Sequence, residues 1–581
     1  MNNSNGITLV GLVVTIIIIL ILAGITLSVM VGENGVISKA QSALKETGIA
    51  QLEESVYTTS VDYQQTMAEG EKDIRLFMSQ LRVNNYDTRN IQDKYFIVKN
   101  EEGYRVVVDL STSEVLRVHE YEKGEIESIV DTSVWDGTSS VGLIGEGTPS
   151  YPYAIRSAKD LSYMRDSVNS DGTITGLNID GTPNQKNVKA AMASYELLTD
   201  IYLNDISNYS SWSSTNAPSN VWIPIGYYTK QTNEARPFNG YFEGNGYSIY
   251  GVYVVSKSGS SNIQTALFGS AVNSTFHGIN IEKSYFYSEI DGDKDKMQLG
   301  STGALLGFVN YSDITYCSVK DTTVIGKAHT GGMVGSIYFN AKAHVSDVTH
   351  SFSDNCNVRL ISPTNTNVSY CVGGLIGQTS GYATISYINN CYNNSNVTVD
   401  TTNVKVSVGG IAGNLFMKVD CHDCYNTGNI SVNSSNDETY VGGIAGNKWC
   451  DGDVDTIYNC YNKGNITGGN YQDGIIAKGS GWGRIEVNNC FNLGNIPKNT
   501  ISDGKIIRCV DYSTRVTLSC VYDICSGSLF KYNTYSINNI GDLTQIAGGE
   551  SYFYGNSVIN NLNWSENDWN INASELPTLK Y

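Results

Sequence analysis

The strongest apolar pattern comes first in the chain. From Ile7 to Val31 it runs 25 residues without a charged side chain. A helix of that length crosses a hydrocarbon core of ~30 Å, so 7–31 predicts a transmembrane helix. Gly35 interrupts it, and Val36 to about Leu81 reads as a second, largely polar helix. The period then shortens. Lys94 to Lys99 and Tyr104 to Asp109 flank the hairpin signal Glu101-Glu102-Gly103, and Glu114 to Glu120 follows. These predict a three-strand meander that completes a small α+β domain over 32–121. Residues 122–146, acidic and then rich in Ser and Gly, read as a linker.

Beyond 147 the pattern changes to short strands separated by Gly and Asn turns. Ser157 and Asp160 approximate a capping box, predicting a short helix to about Asn169 that covers the open end of whatever follows. Four near-copies of one phrase then appear: NNCYNNSNV, HDCYNTGNI, YNCYNKGNI and NNCFNLGNI. Their cysteines, Cys391, Cys424, Cys460 and Cys490, are 33, 36 and 30 residues apart. A steady period in this range means stacked units, none able to bury its own apolar face. Each unit offers three short strands: one at VGGIAG, one ending at the cysteine and one at GNITG.

Parallel stacking at ~4.8 Å per coil turns equivalent residues into ladders. The cysteine ladder takes in Cys317, Cys391, Cys424, Cys460, Cys490 and Cys520, with Ser351 standing in at one rung. Tyr392, Tyr425, Tyr461 and Phe491 form an aromatic column. Asn393, Asn426, Asn462 and Asn492 form an amide column, and Asn396, Asn429, Asn465 and Asn495 a second. Ser395, Gly428, Gly464 and Gly494 precede that second column at a tight turn, where positive φ is expected.

Two resemblances attach to these residues. Gly6 followed by Ile7-Thr8-Leu9-Val10, the unbroken apolar run and the amphipathic Gly32 to Thr47 resemble the N-terminus of type IV pilins and pseudopilins of Gram-positive bacteria. That resemblance implies a leader of residues 1–6, cleavage between Gly6 and Ile7, and pilin or pseudopilin subunits as partners. Gly11 stands where the family carries a glutamate, so a simple membrane anchor and a filament subunit both remain open. Pro237 to Val252, Ala266 to Gly269, TGALLG at 302, TGGMVG at 330, VGGLIG at 372, VGGIAG at 408 and 441, and DGIIAK at 473 resemble the GLUG repeats of bacterial surface adhesins. The fold this implies is mostly β, a right-handed parallel β-helix. Its cap and first coils span 147–270, its repeats 271–500, and its last coils and C-terminal cap 501–581.

Composition narrows the function. A net charge of −19 argues against nucleic acid as a partner. All twelve cysteines lie after residue 316, and the repeat makes them small buried ladder residues before it makes them disulfides or ligands. The six histidines are scattered, with no HExxH, GxSxG or phosphate-binding loop, so no catalytic constellation and no cofactor are expected. Cys421-His422-Asp423-Cys424 is a lone CxxC. Asp451, Asp453 and Asp455 are spaced like a calcium loop, yet Thr456 and Asn462 occupy its glycine and glutamate positions. Asp291-Gly-Asp293 fails in the same way.

The resulting expectation is a membrane-anchored or pilus-associated surface protein. Its β-helix would display a binding face for host or matrix glycans or proteins, an exposed Tyr and Asn face being suited to sugars. The alternatives are a β-helix carbohydrate-active enzyme, which needs clustered carboxylates, and a structural minor pilin that binds nothing. LPTLKY lacks the Thr-Gly a sortase requires, and no wall attachment by that route is expected.

Overall fold

The computed structural model describes residues 36–68, 74–83, 86–91, 94–228, 235–259, 264–293, 299–339, 346–381, 386–452, 454–497, strand segments between 507 and 546, and 549–580. The apolar run 7–31 and the cleavage position at Gly6 and Ile7 lie outside the described residues. Among those described, no helix is long and apolar enough to cross a membrane. The chain divides into two compact units at His119.

In the first unit, helices Val36–Ala68 and Ile74–Val83 accompany a four-stranded antiparallel sheet in sequential order. Leu52, Val56, Phe77, Leu81, Phe96, Val98, Val106 and Val108 form its core. The sheet has one strand more than the sequence signals. Asp87–Ile91 is nearly all polar and pairs with Tyr95–Lys99, burying only Arg89 and Ile91. Arg117 on the last strand bonds Glu53 at 2.8 Å and Glu46 at 2.7 Å across to the long helix.

Residues 122–146 are not a linker. A helix at Lys123–Ile129 starts from a reciprocal capping box between Glu122 and Glu125. Trp135, Leu143 and Ile144 are buried, and Leu143–Ile144 pairs in parallel with Thr173–Leu177. Ile129 and Val130 pack beside Ile144, and the Asp131 and Trp135 amides donate to Arg156 O and Tyr202 O, so the segment is part of the second unit. The cap helix forms as expected: Ser157 accepts from the Asp160 amide, and Ala158–Asn169 follows. Its Leu161, Met164 and Val168 enter the same core as Tyr153, Tyr195 and Leu197.

That core is continuous from Trp135 to Leu518, as a solenoid requires. One face is an eight-stranded parallel sheet from Phe268–Val272 to Ile507–Cys509. A second carries five short strands from Thr330–Gly331 to Tyr471–Asp473, and the remaining strands join one large sheet. The chain is thus a parallel β-helix, and its register is the one read from the repeat. Cys391 faces Cys424, Tyr392 faces Tyr425 and Asn393 faces Asn426. Tyr461 faces Tyr425 and Phe491 in turn.

The turn geometry differs from expectation. Positive φ falls one residue before the cysteine at Tyr316, Asn390, Asp423, Asn459 and Asn489, and at the matching corners Gly278 and His350, which precede Ile279 and Ser351, all between 48° and 64°. Asn and Asp tolerate this left-handed corner best among non-glycine residues, which accounts for NNC, HDC and YNC. Gly428 and Gly464 have no positive φ; each is glycine because a Cβ there would stand 1.9 Å from a carbonyl oxygen of the preceding coil.

The two halves of the repeat also meet. A Cβ on Gly374 or Gly410 would lie 2.3 Å from Cγ of Asn393 or Asn426 respectively. The second glycine of VGGIAG therefore makes room for the amide column. After Val521–Cys525 the parallel stack stops, and Ser528–Tyr532 and Leu543–Ile546 continue antiparallel.

Candidate functional site

The buried amide column is a continuous hydrogen-bonded chain. Asn393, Asn426 and Asn462 each donate to the next side-chain oxygen at 2.7 Å, ending on Asn492. All four are fully buried. The cysteine ladder is structural as well. Cys391, Cys424, Cys460 and Cys490 sit inside the coil with each sulfur 3.1–3.2 Å from the carbonyl two residues back. Cys317 continues the line, its amide bonded to Ser351 Oγ at 3.1 Å. Cys520 lies outside the described residues. The nine cysteines from Cys317 to Cys490 are buried and stand outside any disulfide. Burial pushes the Cys317 and Cys371 thiols up to about 12, leaving them protonated at neutral pH.

The metal candidates do not assemble. Cys421 and Cys424 both point into the core, while His422 stacks on Tyr458 with centroids 4.5 Å apart and meets Asp423 at 2.8 Å. Asp423 is further taken by Asn459 and by Trp569 Nε1, at 3.0 and 2.9 Å. Asp451 is exposed, Asp453 lies outside the described residues, and Asp455 is buried against Lys448. Among the described residues no group of three or more His, Cys, Asp or Glu is placed to hold a metal ion.

The aromatic column stacks nearly face to face, with centroids 5.0, 4.9 and 4.9 Å apart from Tyr392 to Phe491. It is not an open sugar face. Residues 549–580 lie over it, packing Phe553, Trp564, Trp569, Leu576 and Leu579 on Tyr425, Tyr461 and Phe491. Tyr461 Oη donates to Pro577 O at 2.9 Å, and Trp564 Nε1 to Asn489 O at 3.0 Å. The column is the seat of the C-terminal segment, and only its start, Phe352 and Tyr392, stays half-buried.

A recess of about 830 Å³ opens elsewhere on the solenoid. Tyr287, Glu289, Asp291, Lys327, Ser362, Thr364 and Asn365 line it together with Ile290, Leu299 and Ile361. Asp291 builds its wall. It accepts from Thr364 N at 2.8 Å, Tyr370 Oη at 2.5 Å and Gly292 N at 2.9 Å. Burial opposes ionisation, but the bonds from Thr364 and Tyr370 outweigh it and hold this carboxyl below the ordinary range. Lys327 Nζ stands 4.0 Å from it with a quarter of its side chain exposed. Glu289 and Asp293 line it as well, and Tyr287 Oη donates to Glu289 Oε1 at 3.4 Å, so the recess presents one ammonium, three carboxylates and several hydroxyls beside apolar side chains.

A second polar group escaped the sequence reading. Glu196, Glu243 and His277 occupy one column on three successive rungs. His277 Nδ1 meets Glu243 Oε1 at 3.0 Å, Tyr241 Oη bonds the other oxygen, and Asn245 Nδ2 reaches Glu196 at 3.3 Å. All three column members are at least nine-tenths buried. The signal was present as SYEL, YFEG and TFHG, an aromatic residue followed by Glu or His, but these early coils lack the glycine signature that sets register downstream. Comparison with known proteins yields no family model and no curated protein that matches the chain.

Proposed function

We propose that the chain is a surface-displayed binding module, tethered through its N-terminal apolar segment and using the recess at Lys327 and Glu289 to hold a hydroxyl-rich ligand such as a glycan segment. The observation behind this reading is the lining itself. One ammonium, the Glu289 and Asp293 carboxylates, the Tyr287 and Ser362 hydroxyls and the apolar Ile290, Leu299 and Ile361 are what recognises sugars by hydrogen bonds and by contact with their apolar faces. The pilin-like start supports the display half of the proposal, because it would place everything after residue 31 outside the membrane.

Purified protein tested against immobilised glycans should retain a ligand that Lys327→Ala and Glu289→Gln each release at least ten-fold more readily. Equal retention by wild type and both variants would remove the recess from the account. Mass spectrometry of the mature N-terminus tests the tether: a chain beginning at Ile7 supports pilin-type processing. A second reading, a β-helix hydrolase, draws on Glu196 and Glu243. Neighbouring rungs put these carboxylates ~4.8 Å apart, close to the ~5–5.5 Å of retaining glycosidases. Polysaccharide cleavage lost in Glu243→Gln would favour it.

A further inference from the structure

The coil from Ala445 to Tyr458 places two charged side chains where its neighbours carry none. Lys448 is in register with Leu415 of the preceding coil and Gly479 of the next. Asp455 is in register with Ile485 of the next coil, and its strand partners the one beginning at Val419. Lys448 is wholly buried and Asp455 is 2% exposed. Their Nζ and Oδ2 atoms are 2.8 Å apart. Neither atom has another hydrogen-bond partner among the described residues.

A buried ammonium has three donors to satisfy, and this one has a single acceptor. Removing two charges from water without further hydrogen bonds is costly. An ion pair so poorly provided for is a weak stabiliser, but a dry amine and carboxyl held in contact are well placed to condense. We propose that Lys448 and Asp455 become joined by an intramolecular amide bond, a covalent staple inside the solenoid.

The step needs no oxidant or cofactor. A proton passes from Nζ to the Asp455 carboxylate, giving an amine and a carboxylic acid. The Nζ lone pair then adds to Cγ. The tetrahedral centre collapses with loss of one carboxyl oxygen, which leaves as water with two of the former ammonium hydrogens. An N–C bond forms, a C–O bond breaks, and net charge is unchanged. Fixed contact supplies the effective concentration, and the surrounding hydrocarbon keeps out the water that would reverse the reaction. The Cys450 thiol lies beside Asp455, where burial pushes it up to about 12, so it stays protonated and able to donate to the carboxyl oxygen. The product closes a covalent ring around the exposed Asp451 and Gly452.

Tandem mass spectrometry of trypsin-digested, denatured full-length protein tests this. The expected result is no cleavage after Lys448 and a peptide one water lighter than its sequence, with fragments linking Lys448 to Asp455. Asp451-Gly452 can also lose water by forming a succinimide, so mass alone does not decide. A light peptide that is cut after Lys448, or that regains the water in mild base, overturns the proposal. So does a full-mass peptide from the folded protein. The double variant Lys448→Met/Asp455→Leu restores hydrocarbon to both columns, and its peptide should show full mass while the protein keeps its β-sheet circular dichroism. The same mass deficit in that variant would likewise sink the amide.

Discussion

Asn426→Asp probes the buried amide column with almost no change of shape. Asn426 accepts from Asn393 and donates to Asn462 Oδ1 at 2.7 Å and to Gly428 O at 2.9 Å. A neutral aspartic acid keeps the acceptor and one donor, leaving one buried oxygen unpaired at a cost of about 1–3 kcal/mol. An ionised aspartate donates nothing and faces two oxygens in a site without water. Its folded-state pKa must therefore lie above the unfolded value of ~3.9. The folded variant holds a proton that the unfolded chain releases, so stability is greatest below ~pH 4 and falls by about 1.4 kcal/mol per pH unit as pH rises towards the folded pKa. Between pH 4 and pH 7 the further loss can reach about 4 kcal/mol. Urea unfolding followed by circular dichroism at both pH values measures it against wild type. Asn429→Asp is the control, because Asn429 is exposed in the outer column and its oxygen already accepts from the Asn465 amide at 3.0 Å. Equal pH dependence in the two variants would show that the inner column is neither buried nor hydrogen-bonded as described.

Four further outcomes are expected. His329 is buried, which pushes its pKa down to about 4, so the unfolded chain binds a proton the folded one refuses. Stability present above ~pH 6.5 is then lost as pH falls towards 4, by about 3 kcal/mol, and His329→Leu should remove that part of the acid sensitivity in urea titrations. Gly410→Ala puts a Cβ 2.2 Å from Gly443 O and should cost about 3 kcal/mol. Gly452→Ala meets no atom within 4 Å and should cost only the ~1–2 kcal/mol of its positive φ; equal midpoints would contradict the rung contact. Trp569→Ala empties a fully buried site on the aromatic column and should cost about 4 kcal/mol, with new dye binding as Tyr425 and Tyr461 are uncovered. A thiol reagent at pH 8 should label Cys391, Cys424, Cys460 and Cys490 only on unfolding; rapid labelling of native protein would place them elsewhere.

The repeat made the middle of the solenoid legible because stacking leaves each position one environment. Cys, aromatic and Asn recur at a fixed offset, and each must face its own kind on the next rung, so the register of residues 391–492 was readable before any coordinate. The limits were equally physical. Sequence shows which residues form a column, not what lies over it, so Tyr461 and Phe491 read as a surface when residues 549–580 cover them. The left-handed corner was placed at the glycines, although Asn and Asp before the cysteine bear it and the glycines answer to close approach. The linker reading of 122–146 weighs composition, whereas scattered apolar side chains, among them Ile129, Trp135, Leu143 and Ile144, together with backbone bonds to Arg156 and Tyr202 hold the segment in place.

Regularity and chemistry are in opposition along this chain. A ladder residue is fixed by its neighbours above and below, and a change on one rung disturbs both. The amide and aromatic columns can therefore carry little that is specific to a ligand. Among the described residues, the other unusual polar arrangements lie outside those two columns. Lys448 and Asp455 interrupt hydrocarbon columns, Glu196, Glu243 and His277 precede the glycine signature, and the recess is built from Glu289, Lys327 and the segment 361–365, none of which recurs at the repeat period. If the solenoid is a scaffold and its interruptions are the functional positions, exchanging one rung for another should reveal it. Replacing Lys327 and Glu289 should leave stability within ~0.5 kcal/mol, as for other surface changes, while altering what the protein holds. Substitution within Asn393–Asn492 should do the reverse. A ladder variant that folds normally and loses ligand would contradict this division of roles.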